Sequence, residues 1–93
     1  MPTFTARVEL LDAALSDYAN LYTELRSRGF SDRIKSVDGR IFMMPPAEYN
    51  RVTGSTCVQV RNLAKEALDS IGKEGAILVT MGERCWLGLT SAE

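Results

Sequence analysis

Hydrophobic and polar positions alternate strictly over residues 3–10, TFTARVEL. Phe4, Ala6, Val8 and Leu10 fall on one side, and Thr5, Arg7 and Glu9 on the other. Successive side chains of an extended chain point to opposite faces, so this pattern predicts a strand with one face buried. The spacing then lengthens. Ala14, Tyr18, Leu21, Tyr22 and Leu25 recur at three and four residues, the period of a helix. Asp12 or Ser16 is the expected N-cap. Arg26, Arg28 and Gly29 close the last turn, where cations meet the carbonyl end of the helix and glycine supplies a left-handed residue.

Two short segments follow, residues 30–36, FSDRIKS, and 40–44, RIFMM, joined through Val37-Asp38-Gly39-Arg40. Asp-Gly is a strong signal for a two-residue hairpin turn. Such a turn pairs Val37 with Arg40, Lys35 with Phe42 and Ile34 with Met43. It gathers Arg33, Lys35, Phe42 and Met44 on one face, and Ile34, Ile41 and Met43 on the other. Pro45 and Pro46 remove two main-chain donors, so pairing must end or bulge there. The following residues, AEYNRVTG, then leave as a loop or as a second short strand.

A second helix is expected over residues 55–71. Thr56 and Gln59 have the spacing of a capping box, and Val60, Leu63, Ala64, Ala67, Leu68 and Ile71 form its apolar side before Gly72. Residues 76–81, AILVTM, read as a nearly continuous β-branched strand, with Arg84–Leu89 a candidate extension past Gly82 as a bulge or a final hairpin. The order strand, helix, strand, strand, helix, strand predicts a single α+β domain over residues 1–93. The corresponding plan is ferredoxin-like βαββαβ, a four-stranded antiparallel sheet with two helices on one face. Right-handed crossovers put the first and third strands in the centre.

The bulk properties narrow the chemistry. Eleven basic and twelve acidic residues give a net charge of −1, so any nucleic-acid binding must come from a local basic patch. There is no histidine, which removes Ser–His and Cys–His catalysis and leaves Arg, Lys, Tyr, Asp and Glu for acid–base work. Cys57 and Cys85 are far apart and form neither a metal-binding spacing nor a disulfide framework. No metal or other cofactor is expected. The scattered Asp12, Asp17, Asp32 and Asp38 read as caps and turns. The N-terminus lacks the apolar core of a signal peptide, and no apolar run approaches a membrane span of about 20 residues. The expected location is the cytoplasm, with no membrane partner.

The uncovered sheet face carries the candidate chemistry. Aromatic rings there would stack on bases while cations meet phosphates, as in many domains that bind single-stranded RNA. The candidates are Phe42 with the cations Arg26, Arg28, Arg33, Lys35 and Arg40, followed by Tyr49 and Arg51 beyond the prolines. The same face could equally be buried by a second copy of the chain. For the cations, the plainer account is helix-end complementation and edge-strand solubility. Cys57, near a helix start, reads either as a thiol of lowered pKa or as an inert, partly buried one.

The run GFSDRIKSVDGRIFMMPPAEYN, preceded by ARVEL and by a helix containing DYANLYTEL, resembles the GhoS-like antitoxins of type V toxin–antitoxin systems. That resemblance implies a ferredoxin-like fold and a bacterial, sequence-selective endoribonuclease acting on the message of a small membrane toxin. It assigns no catalytic residue. Two function classes follow: an RNA-binding, RNA-cleaving antitoxin, or a non-catalytic contact module. The latter would be a homodimer or a small inhibitor of the kind phages carry, docking on a protein partner through its sheet face or an edge strand.

Overall fold

In the computed structural model, which describes residues 1–93, the central element is the alternating segment at the N-terminus. Strand β1 (Thr3–Leu10) pairs antiparallel with β4 (Glu48–Val52) on one side and β5 (Gly75–Met81) on the other. Helices α1 (Leu15–Ser27) and α2 (Cys57–Ser70) pack on one face of this three-stranded sheet. Two short strands, β2 (Arg33–Lys35) and β3 (Ile41–Met43), form a separate hairpin. The chain is thus an α+β domain of order βαβββαβ, with one strand more than the sequence pattern predicts.

The alternation of β1 has the expected consequence. Phe4, Ala6 and Val8 are sealed from solvent, and Leu10 nearly so. Across the ladder, Ala6 faces Tyr49 and Val79, and Val8 faces Ile77, so these residues share the helix-side face. Leu21 and Leu25 of α1 and Val60, Ala64, Ala67 and Leu68 of α2 complete one core cluster. Tyr18 and Ile71, expected at full depth, lie at its margin.

Both helices end as their sequences dictate, but α1 begins differently. Its N-cap is Ala14, and neither Asp12 nor Ser16 fills that role. The Asp17 carboxylate, three residues on, accepts from the Ala14 N–H at 2.9 Å, so an acidic residue in the first turn replaces a capping side chain. That bond, with Lys73 nearby, holds the Asp17 carboxyl below its ordinary value. At the other end Gly29 has φ +90°. Its N–H reaches the Arg26 carbonyl and the Phe30 N–H reaches that of Leu25, a Schellman closure that turns Phe30 into the core beside Leu25. In α2 the Thr56–Gln59 capping box forms as expected, with bonds of 2.9 and 3.2 Å.

The hairpin register differs from expectation by one residue. Lys35 pairs with Ile41, Ile34 with Phe42 and Arg33 with Met43. Ser36 closes the loop opposite Arg40, and the connection is three residues long, Val37-Asp38-Gly39, with only Gly39 at positive φ (+89°). A turn followed by a left-handed glycine bulge has replaced the two-residue turn. The Asp38 carboxylate stabilises it by accepting from the Ser36 hydroxyl, the Arg40 N–H and the Arg40 guanidinium. Because strand side chains alternate, the shift moves Phe42 off the Arg33–Lys35 face and onto that of Ile34.

Pro45 and Pro46 form the corner between β3 and β4. Glu48 N–H bonds the Pro45 carbonyl at 3.1 Å, with Pro46 in the second position and Ala47 in the third at φ +65°, the shape of a type II turn. The corner sends residues 48–52 back into the sheet as the partner of β1, which is the second-strand outcome for AEYNRVTG. Tyr49, a candidate for contact with RNA, is therefore buried.

This packing sets two expected outcomes. Leu25→Asp or Val60→Asp places an unpaired charge at a fully buried site, and should abolish cooperative thermal unfolding followed by circular dichroism. Gly39→Val should lower stability by roughly 1–3 kcal/mol in urea titrations, because a β-branched residue resists positive φ.

Candidate nucleic-acid interface

A concavity of about 610 Å³ lies between the hairpin and residues 83–89. It forms because the chain after β5 crosses the domain and runs along the hairpin's outer edge. Met43 N–H bonds the Thr90 carbonyl at 2.8 Å and Ala92 N–H bonds that of Ile41 at 2.9 Å, pairing Phe42 with Ser91. Residues 84–89 thus form neither an extension of β5 nor a closing hairpin with it.

Lys35, Arg40 and Phe42 line this groove from the hairpin, and Arg84 and Trp86 line it from the facing segment. The Phe42 and Trp86 rings meet edge to face, with centroids 5.8 Å apart. The Arg40 guanidinium carbon stands 5.6 Å from the Phe42 centroid, within cation–π range, while its Nε is 3.0 Å from the Asp38 carboxylate. Arg84 Nη1 donates to the Phe4 carbonyl at 2.9 Å, which fixes the crossing chain to the end of β1. Burial lowers the Arg84 pKa from its ordinary value. Lys35 has no carboxylate within ion-pair distance and is exposed. Val37 and Leu87, both fully exposed, stand on the rim.

The remaining candidates lie elsewhere. Arg28 is tied to Glu24 at 3.2 Å and to Glu66 at 3.7 Å, so it joins the two helices. Arg26 is exposed on the last turn of α1, and Arg33 sits 3.6 Å from the Asp32 carboxylate. Arg51 is on the helix-side face of β4, with its guanidinium 5.5 Å from the Phe30 ring centre and packed against Gly29. Tyr49 stacks on Tyr22 at 5.9 Å, and the Tyr22 hydroxyl donates to Asp32. Tyr49 and Arg51 thus tie β4 to α1 and its closing corner, and none of these residues lines the groove.

The sequence reading therefore found three groove residues, Lys35, Arg40 and Phe42, and missed Arg84 and Trp86. A lone tryptophan in a segment without period was the available signal. No group of three or more Asp, Glu or Cys side chains converges as a metal site would require. Cys57 is partly buried and Cys85 exposed, both as free thiols. No helix is long and apolar enough to cross a membrane. Compared with known protein families and with curated proteins, the chain matches none.

Burial raises the Tyr49 phenol pKa to about 12, from an ordinary 10.0. The folded state thus holds this proton more tightly than the unfolded chain does. Its stabilising share is complete below pH 10 and is lost as pH rises toward 12. Phenolate absorbance should show one tyrosine ionising about two pH units late, together with unfolding, and Tyr49→Phe should remove that late step.

Proposed function

We propose that the protein is a small RNA-binding antitoxin that holds single-stranded RNA in the groove between the hairpin and residues 83–89. The observation that carries this reading is the convergence of two aromatic rings, Phe42 and Trp86, with three cations, Lys35, Arg40 and Arg84. Bases stack on aromatic faces and phosphates seek cations, so the set suits an unpaired strand. A net charge of −1 does not oppose it, because phosphate contacts are local at physiological salt, where the screening length is about 8 Å.

The fold is consistent with the same reading. Asn50 of β4 exchanges two main-chain hydrogen bonds with Ser31, just before β2. Taken as a pairing, this contact gives the order β5-β1-β4-β2, the ferredoxin-like arrangement with β3 added to it. The resemblance to GhoS-like antitoxins extends the reading to cleavage of a toxin message in the bacterial cytoplasm. On that reading Arg40 and Arg84 are the guanidiniums placed to stabilise charge developing on a phosphodiester.

The second reading, a protein-contact module, has its own support. Val37 and Leu87 are bare apolar side chains on the groove rim, and they suit a protein partner better than a nucleic acid.

Titration with a fluorescent single-stranded RNA at several salt concentrations separates the two. Lys35→Ala and Arg40→Ala should each weaken binding and reduce the slope of log K against log salt by about 0.7. Phe42→Ala should weaken it by roughly 1–3 kcal/mol at unchanged slope, because stacking carries no charge. Trp86, the only tryptophan, should be quenched on binding. An absence of both quenching and salt dependence would favour the protein-contact reading.

A further inference from the structure

The two outer edges of the strand assembly are treated differently. The outer edge of β3 is covered by the chain's own C-terminal residues, through the bonds of Met43 and Ala92. The outer edge of β5 has no partner, although β5 is a seven-residue strand. Exposed edges in natural proteins are normally blunted by charge, proline or a bulge. From Gly75 to Gly82, GAILVTMG, β5 has none of these, and Leu78 and Met81 are both more than half exposed.

We infer that β5 pairs antiparallel with β5 of a second copy, making a two-fold dimer whose sheet runs continuously through both chains. This goes beyond the RNA-binding reading and does not depend on it. The hydrogen-bond pattern fixes which groups are free. Leu11 N–H bonds the Glu74 carbonyl and Gly82 N–H bonds that of Thr3, so even-numbered residues of β5 turn their main chain toward β1. In an antiparallel ladder the odd-numbered residues, Gly75, Ile77, Val79 and Met81, then point their N–H and C=O groups outward.

A two-fold axis at Leu78 satisfies all of these groups at once. It sets Ile77 opposite Val79 of the second copy, and Gly75 opposite Met81. It also sets Lys73 opposite Glu83, so opposite charges meet where the strand ends. Leu78, 65% exposed, meets its own copy across the axis on the face away from the helices. Val58 of α2, 54% exposed and lining a shallow recess with Ile77 and Val79, would be covered on the other face. The backbone is self-complementary, the side chains at the centre are apolar, and no like charges are opposed. A second copy of this chain is the occupant that fits.

Sedimentation equilibrium across micromolar to millimolar protein tests the inference. The expected result is a reversible dimer of about twice 10.3 kDa. Leu78→Lys, an exposed position, should shift the species to monomer with the melting temperature of the isolated domain retained. Val79→Pro removes an outward-pointing donor and, with it, a side chain packed at the core margin, so it should also give the monomer but at a lower melting temperature. Leu78→Cys with Cys57→Ala and Cys85→Ser reports the register. The two thiols would sit on the axis in a pair about 4.5 Å apart at Cα and should join as a disulfide-linked dimer on mild oxidation. A monomer at all concentrations, a polydisperse assembly without a discrete dimer, or a dimer that Leu78→Lys leaves intact overturns the inference. RNA binding, measured on the Leu78→Lys monomer, is a separate readout, so either proposal can fail alone.

Discussion

The structure depends on the two-residue alternation of β1. Its four inward side chains, Phe4, Ala6, Val8 and Leu10, provide the floor on which both helices rest. Both of its edges are used, by β4 and by β5, so every other element of the sheet is positioned by this one strand. A one-residue slip would turn Arg7 and Glu9 into the core, and unpaired buried charge costs more than a small domain can offset. That energetic asymmetry fixes the register of β1 firmly. It also explains why its pattern was readable without any tertiary information.

The hairpin shows where such legibility ends. Ile34 is its only buried side chain, and its strands are three residues each, so little apolar area enforces one register over another. Local turn chemistry decided instead. In the three-residue loop the Asp38 carboxylate bonds Ser36 and Arg40 at once, and Gly39 alone supplies the positive φ. The Asp-Gly pair identified the turn correctly but not its length. The shift moves Phe42 from the face of Lys35 to that of Ile34.

The helices, their glycine closures and the α2 capping box were legible because each rests on contacts within about one turn. What stayed hidden required contacts across the chain. The prolines marked a corner, but only the ladder between residues 48–52 and β1 shows that the chain returns to the sheet there. That return buries Tyr49 and converts Arg51 into a packing residue over Phe30. Likewise, Arg84 gains meaning only across about eighty residues, through hydrogen bonds of 2.9 Å to the Phe4 carbonyl and 3.4 Å to the Thr5 hydroxyl, and Trp86 only through its contact with Phe42.

The C-terminal crossing links the two surfaces of interest. By covering the β3 edge, residues 90–92 supply main-chain partners that would otherwise invite another strand. By spanning from β5 to the hairpin, residues 83–89 raise the wall that turns an exposed hairpin face into a groove. The segment is anchored at both ends, by Arg84 on Phe4 and by the Phe42–Ser91 pairing, so its middle is held without a core of its own. Loops fixed at both ends on a rigid sheet can present side chains precisely while remaining accessible. The edge facing away, β5, receives no such cover, because the chain that leaves it is committed to the opposite side.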